Sequence, residues 1–244
     1  MHDHVDPARA DRRRERPRPM TIDELAARAR ALVRPGRRAL LGIAGSPGAG
    51  KSTLAESLLT ALRGQEDAER AERGEAGAGD WVAHVPMDGF HLADTELDRL
   101  GRRDRKGAPD TFDAAGYAAL LRRLREDEDE VVYAPGFERE LEQPIAGSIP
   151  VPRTARLVIT EGNYLLLDEG DWARVRPRLD EVWYCELDER ERVRRLVARH
   201  ERFGKDHAAA VAWALGTDQR NADLVAGTRH RADLVVPTDV VRPR

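Results

Sequence analysis

Residues Gly45-Ser46-Pro47-Gly48-Ala49-Gly50-Lys51-Ser52 match the spacing G-x-x-x-x-G-K-[ST] at every fixed position. A polyphosphate needs several backbone N–H groups converging on it, and glycines permit the close backbone path that forms such a nest. Lys51 supplies a compact positive charge for the β- and γ-phosphates, the hydroxyl of Ser52 can ligate Mg²⁺, and Thr53 follows in the same turn. The only lysines are Lys51, Lys106 and Lys205, so a match by chance is rare, about once in a thousand chains of this size. Residues 45–53 are therefore expected to bind a nucleoside triphosphate with Mg²⁺. The Asn/Thr-Lys-x-Asp motif by which GTPases read guanine is absent around Lys106 and Lys205. Leu187-Asp188-Glu189 imitates the acidic strand end of motor ATPases poorly, because Asp188 and Glu191 read better as a helix start.

Two carboxylates follow apolar runs. Asp88 comes after Val85-Pro86-Met87, and Glu161 comes after Leu157-Val158-Ile159-Thr160. Ligands of an open parallel sheet lie outside the carboxyl ends of its strands, so both residues are expected beside the glycine-rich loop. There Asp88 could accept the proton of an attacking hydroxyl, or it could merely start an Asp-Gly turn. Glu161 could hold Mg²⁺, or it could be an ordinary turn carboxylate. Downstream, Arg192, Arg195, Arg199 and Arg202 share one arc of a helix that buries Val193, Leu196 and Val197. That row reads either as a lid over phosphates or as a solvated basic face.

These residues need a frame. The apolar run Ala39–Ala44, the glycine loop and a helical pattern from Lys51 make strand, loop and helix. Further strands are expected at 81–85, 157–160, 182–186 and 234–236, separated by helical patterns, which predicts an α/β fold with a doubly wound, mainly parallel sheet covered on both faces. Thr21 with Glu24 forms a capping box for a first helix, and Asp113 can cap one that presents Tyr117, Leu120, Leu121 and Leu124 on one face. Residues 1–19 read as a disordered tail, 20–237 as one domain and 238–244 as a closing tail. Within the domain, 64–80 lacks apolar periodicity and reads as a mobile insertion; 131–152, with four prolines, reads as an extended or hairpin excursion; 188–206 is the arginine-helix region.

Bulk composition narrows the setting. The 41 basic and 44 acidic residues leave a formal charge of −3, so no net field draws the molecule to nucleic acid or membrane, and the arginine row lacks the aromatic interleaving of a single-strand binder. No apolar run approaches a membrane span, the N-terminal segment lacks the apolar centre of a secretory signal, and the single cysteine, Cys185, fits a reducing cytoplasm. Nothing in the pattern chooses between monomer and homodimer.

The chain resembles the uridine kinase, pantothenate kinase and phosphoribulokinase superfamily of P-loop kinases, and especially its nucleoside/nucleotide kinase-like branch, which includes proteins labelled fructose transport system kinases. The resemblance runs from about Arg38 to Pro237. It rests on the glycine loop, Met87-Asp88-Gly89-Phe90-His91, the segment Arg105 to Asp113, Thr160-Glu161-Gly162-Asn163-Tyr164, the arginine helix and the closing segment Arg231 to Pro237. It implies an ATP- and Mg²⁺-dependent transfer of phosphate to a hydroxyl of a small metabolite, such as a nucleoside, sugar or pantothenate-like acceptor. It makes Asp88 the base, Glu161 part of the metal site, and Arg195 and Arg199 lid residues. His91 joins Asp88 on the acceptor side. The excursion carrying Tyr133 and Arg139 stands where such kinases build part of the acceptor pocket, though it departs from the uridine kinase pattern there. Arg139 could equally pair with Glu138 or Glu142 at the surface. The competing expectation is a P-loop module that binds and hydrolyses nucleotide for regulation, with no small-molecule acceptor.

Overall fold

The computed structural model describes residues 20–73 and 80–238. The expected N-terminal tail 1–19, residues 74–79 of the expected insertion and the last residues 239–244 lie outside that range. Thr21 and Glu24 exchange their capping hydrogen bonds at 3.2 and 2.9 Å and open α1 (Ile22–Arg30). Then come β1 (Ala39–Gly45), α2 (Lys51–Glu72), β2 (Val82–Pro86), α3 (Asp94–Arg99) and α4 (Ala114–Glu126), the last capped by Asp113. β3 (Val131–Glu138) and β4 (Gln143–Pro152) precede β5 (Leu157–Gly162), β6 (Glu181–Glu186), α5 (Glu189–Arg202), α6 (His207–Leu215), α7 (Thr217–Ala226) and β7 (Leu234–Pro237).

Five strands form a wholly parallel sheet in the order β2-β5-β1-β6-β7. Its central strands β1 and β5 are buried at every residue, as strands covered on both faces must be. Alternation divides their side chains between two cores. Leu40, Ala44, Val158 and Val182 face the layer of α4, while Leu41, Ile43, Ile159 and Trp183 face α1 and α2. The chain leaves β1 to build β2 and β5 on one side and returns to build β6 and β7 on the other, so a crevice opens at the carboxyl end of β1.

The expected insertion needs correction over residues 64–72, which continue α2 as helix. Beyond Leu62 the helix buries no further apolar face. Its Ala, Glu and Arg residues are strong helix formers, and Arg30 of α1 holds Glu66 and Glu69 at 3.0 and 3.3 Å. The excursion 131–152 is an antiparallel hairpin whose register shifts between the pairs Ala134–Ile149 and Gly136–Ile145, so that residues 146–148 of β4 stand against Pro135 alone. The ordered fold also runs past Pro237, since Thr238 Oγ1 donates to the carbonyl of Ala49 at 2.6 Å and ties the chain end to the glycine loop. Among the described residues no helix is long and apolar enough to cross a membrane.

Candidate active site

The glycine loop lies between β1 and α2, as its sequence context requires. Gly48 has φ +81°, and a Cβ there would stand 2.7 Å from Leu196 Cγ, so the loop packs directly under α5. Gly50 caps α2 without any side-chain acceptor, and the first turn holds no acidic residue. Its free N–H groups and the positive end of the helix dipole are left for an anion. Ser46 is buried, Ser52 and Thr53 are exposed on the first turn, and Pro47 lines the cleft.

Lys51 is buried, and its Nζ donates to Ser46 O at 3.1 Å and to Asn163 Oδ1 at 2.6 Å. Burial lowers the pKa of its ammonium, while Glu161 and Asp88 oppose that shift and Arg199 adds to it. Ser52 Oγ donates to Glu161 Oε1 at 2.9 Å. Burial raises the Glu161 carboxyl, and the charge of Asp88 pushes it the same way. β1 and β5 are neighbours with Ala44 opposite Gly162, which brings Glu161 and Asn163 beside the loop. Ser52 and Glu161 offer two hard oxygen donors, one hydroxyl and one carboxylate. That set fits Mg²⁺, which takes one or two protein oxygens and completes its shell with phosphate and water.

Asp88 sits in a single 3₁₀ turn, Met87–Phe90, after β2. A Cβ on Gly89 would stand 2.1 Å from Pro135 O, so only glycine lets this turn lie against the hairpin. Asp88 therefore starts a turn and also lines the cleft; the two readings of its sequence do not exclude each other. Its Oδ2 receives Arg139 Nη2 at 3.0 Å. Burial alone would raise its carboxyl, but His91, Arg139, Lys51 and Arg199 together hold it below the ordinary range. His91 Nδ1 lies 2.9 Å from the Asp88 carbonyl, which can only accept, so Nδ1 carries the proton. Burial lowers the His91 pKa, with Asp88 opposing. The His91 ring stacks 3.9 Å from Phe112 and 4.8 Å from Phe137.

One cleft of about 360 Å³ is lined by Lys51, Ser52, Asp88, His91, Glu161 and Arg199, together with Arg139. Other expected residues lie elsewhere. Tyr133 is 60% exposed and outside the cleft lining, and the residue of β3 that lines it is Phe137. Tyr133 and Phe137 lie four residues apart on β3, on either side of a register shift at which β4 carries the extra residues 146–148 opposite Pro135. Arg192 does not belong to a free arginine row. It is 2% exposed, and it donates to Pro47 O at 3.2 Å and to Glu189 and Gln219 at 2.5 Å each. Arg195 binds Glu191 at 2.8 Å, with Nη1 3.8 Å from the Cβ position of Gly50, and stands outside the cleft lining. Arg139 pairs with neither Glu138 nor Glu142, since Asp88 takes it.

Several cleft residues carried no assignment from the sequence. Asn163 could have been sought, because it follows Glu161 by two residues at the same strand end. Asp94, which pairs with Lys106 at 2.7 Å, has no local signal, and neither does Asp218, whose Oδ2 lies 2.7 Å from His200 Nε2. The loop carrying Lys106 is pinned from beneath, with Gly107 O accepting from Tyr164 Oη at 2.5 Å and Asn221 Nδ2 at 3.3 Å.

No family model matches the chain. Over 226 residues it is 32% identical to the "Putative uridine kinase" of Schizosaccharomyces pombe, covering 91% of this chain and 90% of that protein. The crystal structure of a "putative fructose transport system kinase" from Silicibacter sp. TM1040 superposes with a TM-score of 0.75 at 36% identity, over 89% of this chain and all of that one. YFH7 of Saccharomyces cerevisiae, described as "a putative P-loop containing kinase with a circular permutation", superposes with a TM-score of 0.75 over 91% of this chain and 99% of its own, and at 19% identity it attests the fold alone.

Proposed function

Because this chain belongs to the uridine kinase-like family of P-loop kinases and so uses ATP, we propose that it transfers the γ-phosphoryl group of ATP to a hydroxyl of a small metabolite. The observation that supports this reading is the Asp88 carboxylate, which opens into the same cleft as Lys51 and Ser52. A module that only bound or hydrolysed nucleotide would need no carboxylate on the side of the cleft away from the glycine loop.

Each residue then has a task. The loop and the start of α2 hold the phosphates through N–H groups and the helix dipole. Lys51, kept in place by Asn163 and Ser46 O, lends positive charge to the phosphoryl oxygens as they separate from the leaving phosphate. Asp88, held ionised by its cationic neighbours, orients the acceptor hydroxyl and takes its proton as the new P–O bond forms and the bond to the β–γ bridging oxygen breaks. Arg199, on the cleft wall, and Arg195, beside Gly50, would meet the phosphates from α5. Ser52 and Glu161 would hold Mg²⁺, which when bound neutralises charge on the β- and γ-phosphate oxygens. A cytoplasmic setting, where ATP is supplied and Cys185 stays reduced, fits this role.

The test is a panel of nucleosides, sugars, sugar phosphates, glycerate and pantothenate with ATP and Mg²⁺, read by ADP formation and by product mass. One class of acceptor should stimulate ADP formation and gain one phosphoryl group. ADP release indifferent to every small alcohol would defeat the reading.

A further inference from the structure

At the end of the cleft away from the glycine loop three cations, Arg103, Lys106 and Arg139, share two inward carboxylates, Asp88 and Asp94, while Asp98, 3.3 Å from Arg103, and Glu142 are exposed outside them. Asp94 receives both Lys106 Nζ at 2.7 Å and Arg103 Nη2 at 2.8 Å, and Asp88 receives Arg139 Nη2 at 3.0 Å. Lys106 donates in addition to the main-chain oxygen of Glu142, whose own side chain is exposed at the rim. The Phe137 ring centroid lies 5.5 Å from both Lys106 Nζ and Arg139 Cζ, so one aromatic ring steadies two of the three cations.

The Asp88–Arg139 pair conflicts with the work assigned to Asp88. The acceptor hydroxyl must reach that carboxylate from the cleft, where Arg139 now sits, and a guanidinium left on it would weaken it as a proton acceptor. Arg139 must therefore yield when the acceptor enters, and its charge then needs a new partner. Of the other carboxylates lining the cleft, Asp94 holds two cations, Glu161 holds Ser52 and Asp218 holds His200, while Glu142 stands exposed at the rim, where a solvated ion pair with Arg139 would contribute little. A cation left unpaired in a filling cleft is costly.

Resting on the kinase reading above, we propose that the acceptor brings this partner itself. It is a hydroxy compound bearing a carboxylate or phosphate group, which Arg139 captures with Lys106 and Arg103 alongside while the hydroxyl replaces Arg139 at Asp88. Arg139 is then a specificity residue that covers the base until a correctly charged acceptor draws it away. Binding and activation are one exchange of ion-pair partners.

Matched pairs of acceptors test this: glycerate against glycerol, sugar phosphates against the parent sugars, and pantothenate against its alcohol. In the pairs that the enzyme uses, kcat/KM should favour the charged member by about 10-fold or more. Carboxylate and phosphate arms show which oxyanion is preferred. Arg139→Gln should raise KM for the charged acceptor about 10- to 100-fold, leave KM for ATP within about 3-fold, and bring the charged-over-neutral ratio of kcat/KM toward one. Arg139→Lys should restore part of the affinity. Arg139 is 46% exposed, so the variants should melt near the parent temperature. Equal use of charged and neutral members, or an unchanged preference in Arg139→Gln, would overturn the proposal and leave the kinase reading standing. If no acceptor of either kind stimulates ADP formation, both fall.

Discussion

At the nucleotide end of the cleft, Lys51 and Ser52 are neighbours on the first turn of α2, and their partners Asn163 and Glu161 sit two residues apart at the end of β5. At the other end, Asp88, Asp94, Lys106 and Arg139 come from a 3₁₀ turn, a short helix, an irregular loop and a hairpin, joined by side-chain ion pairs. The first arrangement is fixed by backbone hydrogen bonds between adjacent parallel strands, with Ile43 opposite Glu161 and Ala44 opposite Gly162. The second is fixed by partners that can be exchanged without disturbing the sheet. A frame of this kind can hold the glycine loop and its partners fixed while the groups at the other end of the cleft rearrange.

The largest expected effect breaks the two ends apart. Asp88→Asn keeps the size and one acceptor oxygen but cannot take a proton, so phosphoryl transfer should fall about 100- to 10,000-fold. A nucleotide titration on the same preparation should find ATP affinity retained, because the loop and helix dipole hold the phosphates without Asp88. Transfer within a few-fold of the parent would reduce Asp88 to a turn residue, and collapse of ATP binding would move it to the nucleotide side.

Lys51→Ala probes the opposite end. Turnover should drop about 100- to 1,000-fold with every acceptor, by more than ATP affinity does, since this charge interacts most strongly with the moving phosphoryl group. If the loss depends on which acceptor is present, the two ends are not the separate units described above.

The smallest effect separates two arginines of one helix. Arg199→Ala should lower turnover roughly 10-fold, the equivalent of about 1.4 kcal/mol, and leave the melting temperature unaltered, because Arg199 is exposed on the cleft wall. Arg192→Ala should instead destabilise the fold by about 1–3 kcal/mol, since it leaves Pro47 O and Gln219 without their buried donor. Equal kinetics in Arg199→Ala at saturating ATP and acceptor would remove it from the lid.

What the sequence determined by itself was whatever depends on near neighbours in the chain. The glycine loop, the capping residues Thr21, Asp113 and Asp188, and the alternation that splits β1 between two cores all follow from hydrogen bonds and side-chain directions set within a few residues. Asp88 and Glu161 were legible one step further on, because parallel strands present their carboxyl ends together. That Phe137 lines the cleft and Tyr133 does not could not be read from an alternation that gives both residues the same parity. The difference between Arg192 and Arg199 likewise arises only when α7 supplies Gln219 and the loop supplies Pro47 O to one arginine and neither to the other. Arg139 had acidic neighbours at 138 and 142, yet it reaches across 51 residues of sequence to Asp88. Such choices belong to the tertiary structure, because an exposed charge has many nearly equal local partners and only the packing of distant elements makes one of them better than the rest.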